Sequence, residues 1–390
     1  MSSAARSRAQ LGTEKYPALT GVRALGASVV FFDHYSPWPD SHIIINVLAF
    51  FYVLSGFLIT RIYYEQVQLQ RAWLWKYFVN RFARIYPIYF LILSVVVLLG
   101  QHADPLTLVR NYTLTHALFH GTPLLIPPSW SLTVEECFYF LAPAFLLLAR
   151  RRGLAWSFAL ACVLAAVALG ISRRQFELLH TPMFVLTTTF FGHFVEFFAG
   201  VWLALWVLRL EKAGAVTRGR WRTAAGAAGV ALLILAMACV YHRPQLNVYA
   251  ILLINNVLIP APIALLYLGL IRESTLVSRI LSGRVAGLMG RGSYSFYLLH
   301  VPIIGYVSTR IAGVMSVRPL YVVATFVGTW LVAVALFLLY EEPLNRLIRG
   351  RSRSKDRAVG MSGTLFRPAP EAAPCVPAVP SQRLRRMIIK

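Results

Sequence analysis

The chain has 390 residues, of which 58% are hydrophobic, 13% aromatic and only 14% charged. Soluble domains are about 45–50% apolar and about 25% charged, so a water-soluble globule this apolar would lack the polar surface to cover its core. Bilayer is therefore the expected solvent. The net charge of +23 would suit a nucleic-acid binder, but Lys and Arg cluster between apolar runs and in the last 45 residues, which reads as topology anchoring on lipid headgroups with no nucleic-acid partner.

Residues 1–15 form a basic tail. The first apolar run carries Arg23 and His34 and has no small-residue cleavage site, so it is expected to stay as a helix rather than leave as a signal peptide. Ten spans are predicted, at 17–35, 44–63, 84–100, 130–149, 154–171, 185–208, 221–241, 247–271, 293–311 and 319–340, which makes an all-α polytopic bundle over residues 16–345. The stretch 101–129 is loop-like, with Pro105, Gly121, Pro123, Pro127 and Pro128, and is open to a dip into the membrane. Residues 346–390, rich in Arg, Ser, Pro and Ala, have no apolar periodicity and read as a disordered basic tail. Threaded from a cytoplasmic N-terminus, the inner side collects 31 of the 38 Lys and Arg and the outer loops six. That bias predicts both termini in the cytoplasm. Cys137, Cys162, Cys239 and Cys375 show no metal spacing and no CxxC pair, so neither a metal site nor a disulfide is expected.

The ionisable residues inside spans carry the functional reading, because each costs about 2.5–3.5 kcal/mol at a helix centre on insertion scales. Arg23 and His34 are eleven residues apart, which returns the second side chain to within about 20° of the first and about 16 Å along the axis. They share a face and draw a line through the membrane. A snorkelling Arg with an interfacial His fits the spacing equally well. The fourth span opens Trp130-Ser131-Leu132-Thr133-Val134-Glu135-Glu136. Its carboxylates are expected at the level of His34, where one can hold an imidazole in its tautomer while the other favours the helix N-terminus. Trp130 also suits an aromatic belt. His193 and Glu196, one turn apart on the sixth span, are either a substrate pathway or a mutually neutral pair. Ser293, Tyr294, Ser295, Tyr297 and His300 make the ninth span unusually polar, and Asn255 and Asn256 do so for the eighth, which suits interhelical hydrogen bonding. Asn111-Tyr112-Thr113 matches a glycosylation sequon. No GxSxG, Walker loop, HExxH or EF-hand pattern occurs.

These stretches resemble the acyltransferase-3 family of membrane acyltransferases. LTGVRALGASVVFFDH resembles its opening helix, with the Arg-x10-His pattern at Arg23 and His34, and FYVLSGFLIT (51–60) its V-L-S-G-F segment. Arg81-x-x-Arg84-Ile85-Tyr86-Pro87 is similar to its R-x-x-R-I-x-P motif. WSLTVEECFYFLAP (130–143) is similar to its W-S-L-x-x-E-x-x-F-Y segment, which points to Glu135 rather than Glu136. GRGSYSFYLLH (290–300) and YEEPLNR (340–346) resemble its late elements, so the matches run in order from about 17 to 346. His193 stands where the family pattern leads one to expect Arg. The resemblance implies transfer of an acyl group, usually acetyl, from cytoplasmic acyl-CoA to a hydroxyl of a carbohydrate or glycosylated acceptor in a bacterial inner membrane, without a permanently bound cofactor. It casts His34, Glu135 and Arg23 as catalytic, and Arg23, Arg81, Arg84, Ser55 and Tyr294 around the donor. Trp130, Ser131, Tyr139, His193, Glu196, Ser293 and His300 would line the channel. The rival reading is a transporter or flippase, for which charged intramembrane residues are equally natural, though repeated halves with matching broken helices are not evident.

Overall fold

The computed structural model describes residues 15–34, 43–100, 103–214, 219–241, 247–311 and 318–350. The tail expected over 346–390, apart from its first five residues, lies outside them, as do residues 1–14 and Cys375.

Ten helices of or near spanning length follow one another among the described residues: α1 Pro17–His34, α2 Ile43–Tyr63, α3 Arg71–Leu98, α4 Trp130–Arg152, α5 Leu154–Ser172, α6 Phe190–Lys212, α7 Trp221–Tyr241, α8 Pro260–Arg272, α9 Arg284–Ile311 and α10 Arg318–Leu336. They match the ten predicted spans in order, and no strand occurs among the described residues beyond one isolated bridge, Phe119–Leu178. Eight membrane-length segments are apolar enough to cross by composition alone. The two that fall short are α1 and α9, the helices with Arg23 and His34 and with the Ser293–His300 cluster. The chain is thus a multi-pass helical membrane protein in which α1 and α9 have to be sheltered by the other helices.

Burial sorts the helices into layers. The apolar windows of α5 and α7 are each only 22% buried, against 67% for the window on α2. In a bilayer the exposed apolar faces meet lipid, so α5 and α7 are peripheral and α2 is central. Water does not drive helices together there, so close contact relies on small residues. A Cβ added at Gly56 on α2 would lie 2.0 Å from the Phe197 carbonyl oxygen, and one at Gly200 on α6 would lie 2.0 Å from that of Val53. The two backbones therefore meet through reciprocal glycines. On the other flank, Phe31 of α1, Phe296 of α9 and Trp330 of α10 form a separate aromatic core, with the Phe296 and Trp330 rings stacked at 4.0 Å.

Two helices contain a π turn, which adds a residue and turns side chains inward. One, Leu253–Leu258, runs into α8 and buries Asn255 and Asn256. Asn256 Nδ2 donates to the carbonyls of Leu186 and Gly192 at 2.9 and 3.1 Å. Those carbonyls flank the break between the short helix Pro182–Thr188 and α6, so the asparagine satisfies backbone that the break leaves open. The other π turn, Phe337–Glu341, follows α10 and buries Glu341.

Of the stretch expected as a loop over 101–129, the described part, 103–129, holds the helix Pro105–Tyr112 and two 3-10 turns, His116–Leu118 and Pro127–Ser129. Asp104 caps the helix, its Oδ1 accepting from Thr107 N at 3.0 Å. Asn111 is fully buried, donates to Thr107 O and Pro123 O, and accepts from Leu125 N. Its amide organises this cap layer, and the match to a glycosylation sequon is thereby overruled, since the side chain is committed inside the fold.

Candidate active site

Polar side chains from α1, α2, α3, α4, α9 and the π turn after α10 meet in the bundle as two clusters. The first surrounds Glu135. Its carboxylate accepts hydrogen bonds from Ser55 Oγ of α2 and from the hydroxyl of Tyr139, one turn further along α4. Arg81 of α3 lies over the Tyr139 and Tyr63 rings, 5.5 Å from each centroid, and donates to the Tyr63 hydroxyl at 3.3 Å. Arg23 projects from α1 into electrostatic range of Glu135, Tyr139, Glu341 and Arg84. Among the described residues its guanidinium has no hydrogen-bond or ion-pair partner, so one intramembrane cation stands uncommitted beside a carboxylate already shared by two hydroxyls. Between α3 and α4 a groove of about 420 Å³ is lined by Arg81, Phe82, Tyr86, Glu136, Tyr139 and Phe140 among others.

Arg84 is placed differently. Its Nη1 pairs with Glu341 Oε1 at 2.5 Å, while Glu341 Oε2 accepts from Ser295 Oγ at 2.8 Å. Tyr294 donates to the Ile85 carbonyl at 3.2 Å and Ser293 to that of Gly290 at 2.9 Å. The Arg84–Glu341–Ser295 chain locks α3, α9 and the π turn together.

The second cluster surrounds His34 at the end of α1. Its Nδ1 lies 2.9 Å from the Val30 carbonyl. A carbonyl only accepts, so Nδ1 holds the ring proton and Nε2 of the neutral imidazole is left with a free lone pair. The residue is exposed. Edge-to-face against it, 4.9 Å between centroids, lies His300 of α9, which is fully buried. His300 Nδ1 is likewise held by a carbonyl, that of Tyr297 at 2.5 Å, and its buried Nε2 has no partner. The Tyr297 hydroxyl is 2.8 Å from Ser131 Oγ and donates to the Pro128 carbonyl at 3.1 Å, tying α9 to the start of α4.

The expected pairing of Glu135 with His34 is not formed. Glu135 sits five residues along α4 from Trp130 and in electrostatic range of Arg23, which itself lies about 16 Å of helix before His34 on α1. The tautomer-holding partner of His34 is its own helix's carbonyl instead. His193 pairs with Glu196 at 3.1 Å through Nδ1, while its Nε2 meets the Thr187 carbonyl at 3.0 Å. With acceptors on both sides the ring and carboxylate share one proton more than a neutral His with an ionised Glu would hold. The Trp130 ring lies 6.3 Å from His193. Glu341, Tyr63 and Tyr52, whose hydroxyl reaches the Ser131 carbonyl at 3.5 Å, were not among the residues singled out from sequence. Glu341 and Tyr52 lie inside the quoted YEEPLNR and FYVLSGFLIT stretches without having been given a role, and Tyr63 gave no signal.

The model of the acyltransferase-3 family, described as an acyltransferase domain, matches residues 16–338. Two relatives stand out. The peptidoglycan O-acetyltransferase OatA of Listeria monocytogenes is 31% identical over 156 residues, which is 35% of this chain and 25% of that protein. YrhL of Bacillus subtilis, named as a candidate peptidoglycan O-acetyltransferase, is 25% identical over 360 residues, 84% of this chain and 54% of that one. The chain therefore spans about half or less of the relatives it matches. No solved structure matches it. The chain belongs to the acyltransferase-3 family.

Proposed function

From membership of that family and the two clusters, we propose that this protein is a membrane O-acyltransferase that moves an acyl group, acetyl in the first instance, from cytoplasmic acyl-CoA to a hydroxyl of a surface glycan. The observation that carries this reading is His34: an exposed imidazole with Nδ1 fixed on Val30 O and Nε2 without a hydrogen-bond partner among the described residues. That is the state a general base or an acyl-carrying nucleophile needs.

As a base, His34 Nε2 takes the proton of the acceptor hydroxyl while its oxygen bonds to the thioester carbonyl. The carbon–sulfur bond then breaks, and the thiolate recovers that proton. As a nucleophile, Nε2 itself bonds to the carbonyl carbon and expels the thiolate. Arg23, free beside Glu135 and Tyr139, is placed to meet an anionic or polar part of the donor within the bundle. Arg81 supports that role from α3. Arg84, tied to Glu341, acts by holding α3 against α9 rather than by meeting donor phosphates. With the termini cytoplasmic, as the charge bias favours, His34 faces outward and Arg81 inward, so donor and acceptor approach from opposite faces of a bacterial inner membrane. Peptidoglycan strands are the first acceptor to try, because the names of the two relatives specify that glycan.

The test is acetyl turnover in proteoliposomes with radiolabelled acetyl-CoA and peptidoglycan fragments, for wild type beside His34→Ala at equal folded amounts. Wild-type labelling of a glycan hydroxyl that disappears in the variant supports the reading. Equal labelling by both removes His34 from the chemistry. Wild-type uptake or flipping of a lipid-linked glycan without acetyl transfer favours the transporter.

A further inference from the structure

We propose that His300 is the second base of the site: His34 Nε2 takes the acyl group, and His300 Nε2 then takes the proton of the attacking hydroxyl. This rests on the O-acyltransferase reading above and commits it to a covalent intermediate.

Three observations converge. The two rings are 4.9 Å apart between centroids, on different helices, so α1 and α9 bring them together by packing rather than by sequence proximity. Both rings have Nδ1 on a backbone carbonyl, Val30 for His34 and Tyr297 for His300, which gives both the same tautomer with a bare Nε2. The His300 Nε2 is buried with no hydrogen-bond partner, and a buried polar atom left unsatisfied destabilises the fold unless it has a use. His193 has both nitrogens engaged, by Glu196 and Thr187, whereas His116 in the cap layer also leaves one buried nitrogen without a partner; what sets His300 apart is where its bare nitrogen lies. His300 holds an unused proton acceptor against the one exposed imidazole of the site.

The chemistry gives that acceptor a task. In the first step His34 Nε2 bonds to the thioester carbonyl carbon, the carbon–sulfur bond breaks and CoA leaves as thiolate. The ring is then an acyl-imidazolium with its proton still on Nδ1 and no lone pair for proton transfer. In the second step the acceptor oxygen bonds to the acyl carbon, the carbon–Nε2 bond breaks, and the hydroxyl proton must go to another base. His300 Nε2 is that base and later returns the proton to solvent. Glu135 does not serve: its carboxylate is taken up by Ser55 and Tyr139 beside Arg23, and among the described residues it is hydrogen-bonded to neither imidazole.

The decisive variant is His300→Asn, whose side-chain amide keeps the donor to Tyr297 O but has no basic nitrogen, with His300→Gln as a second version should the first fail to fold. Purified protein in detergent is mixed with radiolabelled acetyl-CoA. CoA release and protein-bound label are followed before and after addition of peptidoglycan fragments. The expected result is a burst of one CoA per protein, label retained on His34, and transfer slowed about 100-fold, the scale of a lost general base. The acceptor KM should stay within about twofold, and added imidazole should restore transfer. Transfer at the wild-type rate overturns the proposal. So does failure of a folded variant, one with the wild-type melting temperature, to take up label, because His300 would then be positioning His34 and not accepting the proton. If wild type itself neither releases CoA nor labels glycan, the acyltransferase reading falls and takes this proposal with it. If wild type transfers acetyl but His34→Ala does so equally, only the covalent route and its base are lost.

Discussion

At the scale of single residues, the ion pair of Arg84 and Glu341 constrains the bundle outside the two clusters. Glu341 is almost wholly buried, and its two oxygens are engaged by Arg84 and Ser295. Removing one member strands the other, at about 3–5 kcal/mol. Glu341→Ala should therefore lower the melting temperature and yield of the detergent-purified protein sharply, while Glu341→Gln, which still accepts from Ser295, should do so less. Equal and small shifts for both would show that the pair is solvated. For Glu135, the substitution Glu135→Gln keeps an acceptor for Ser55 and Tyr139 but removes the charge beside Arg23. Turnover should fall at least about tenfold with little change in melting temperature, and unaltered turnover would remove that charge from the mechanism. Sequence made Arg23, His34 and Glu135 visible because charge inside an apolar run is costly. It misassigned their partners because helical periodicity relates residues on one helix and says nothing of which neighbour meets them, or at what height. His300 was visible only as one polar residue among five on its span. Its pairing with His34 depends on how α1 lies against α9.

At the scale of elements, the ten spans were legible in number and order, since length and apolarity determine them, but not in their ends: α3 starts 13 residues before its predicted 84 and α9 nine before its predicted 293. The π turns were not, because one inserted residue leaves no compositional mark, yet they bring Asn256 and Glu341 inward. The reciprocal Gly56–Gly200 contact was equally hidden. Gly56→Val should force α2 and α6 apart and lose both folded yield and activity, whereas Gly305→Ala, at a position with no atom near the added Cβ, should be tolerated. Equal tolerance of both would mean the helices do not meet that closely. In the cap layer, His116 is buried with Nε2 3.1 Å from Ser129 Oγ, and its Nδ1 has no partner. Burial pushes this imidazole down from 6.5 to about 4. The unfolded chain therefore takes up the proton first as pH falls. Stability from this group is complete above about 6.5 and is lost progressively down to about 4, with up to about 3 kcal/mol at stake. Melting temperatures measured at pH 7.5 and 4.5 should fall further for wild type than for His116→Gln. A parallel fall would show that another group controls acid sensitivity.

At the scale of the whole molecule, the question is which face receives the acceptor, and the two clusters make the answer consequential. Arg23, in electrostatic range of Glu135, and His34 lie about 16 Å of helix apart on α1, so in the proposed reaction a donor that enters past Arg81 and an acceptor that arrives at His34 would use opposite sides of the bilayer. The proposed orientation rests on charge, because Lys and Arg crowd the loops on the Arg81 side and cytoplasmic loops retain such clusters. Two exposed positions separate the alternatives. Glu177 follows α5 with its side chain 71% exposed, and Lys212 ends α6 with its side chain 72% exposed. Each has one ion-pair partner, Arg110 and Glu65 respectively. Exposed pairs contribute about 0–1 kcal/mol, so substitution there should spare the fold. In a background without the native cysteines, Glu177→Cys should react with a membrane-impermeant maleimide on intact cells, and Lys212→Cys only after permeabilisation. The reverse pattern would turn His34 toward the cytoplasm, where acyl-CoA and acceptor would meet on the same side and the acceptor would be a cytoplasmic hydroxyl rather than a surface glycan. The histidine chemistry would survive that reversal, because the bare Nε2 atoms of His34 and His300 are set by carbonyls of their own helices whichever way the bundle lies in the membrane.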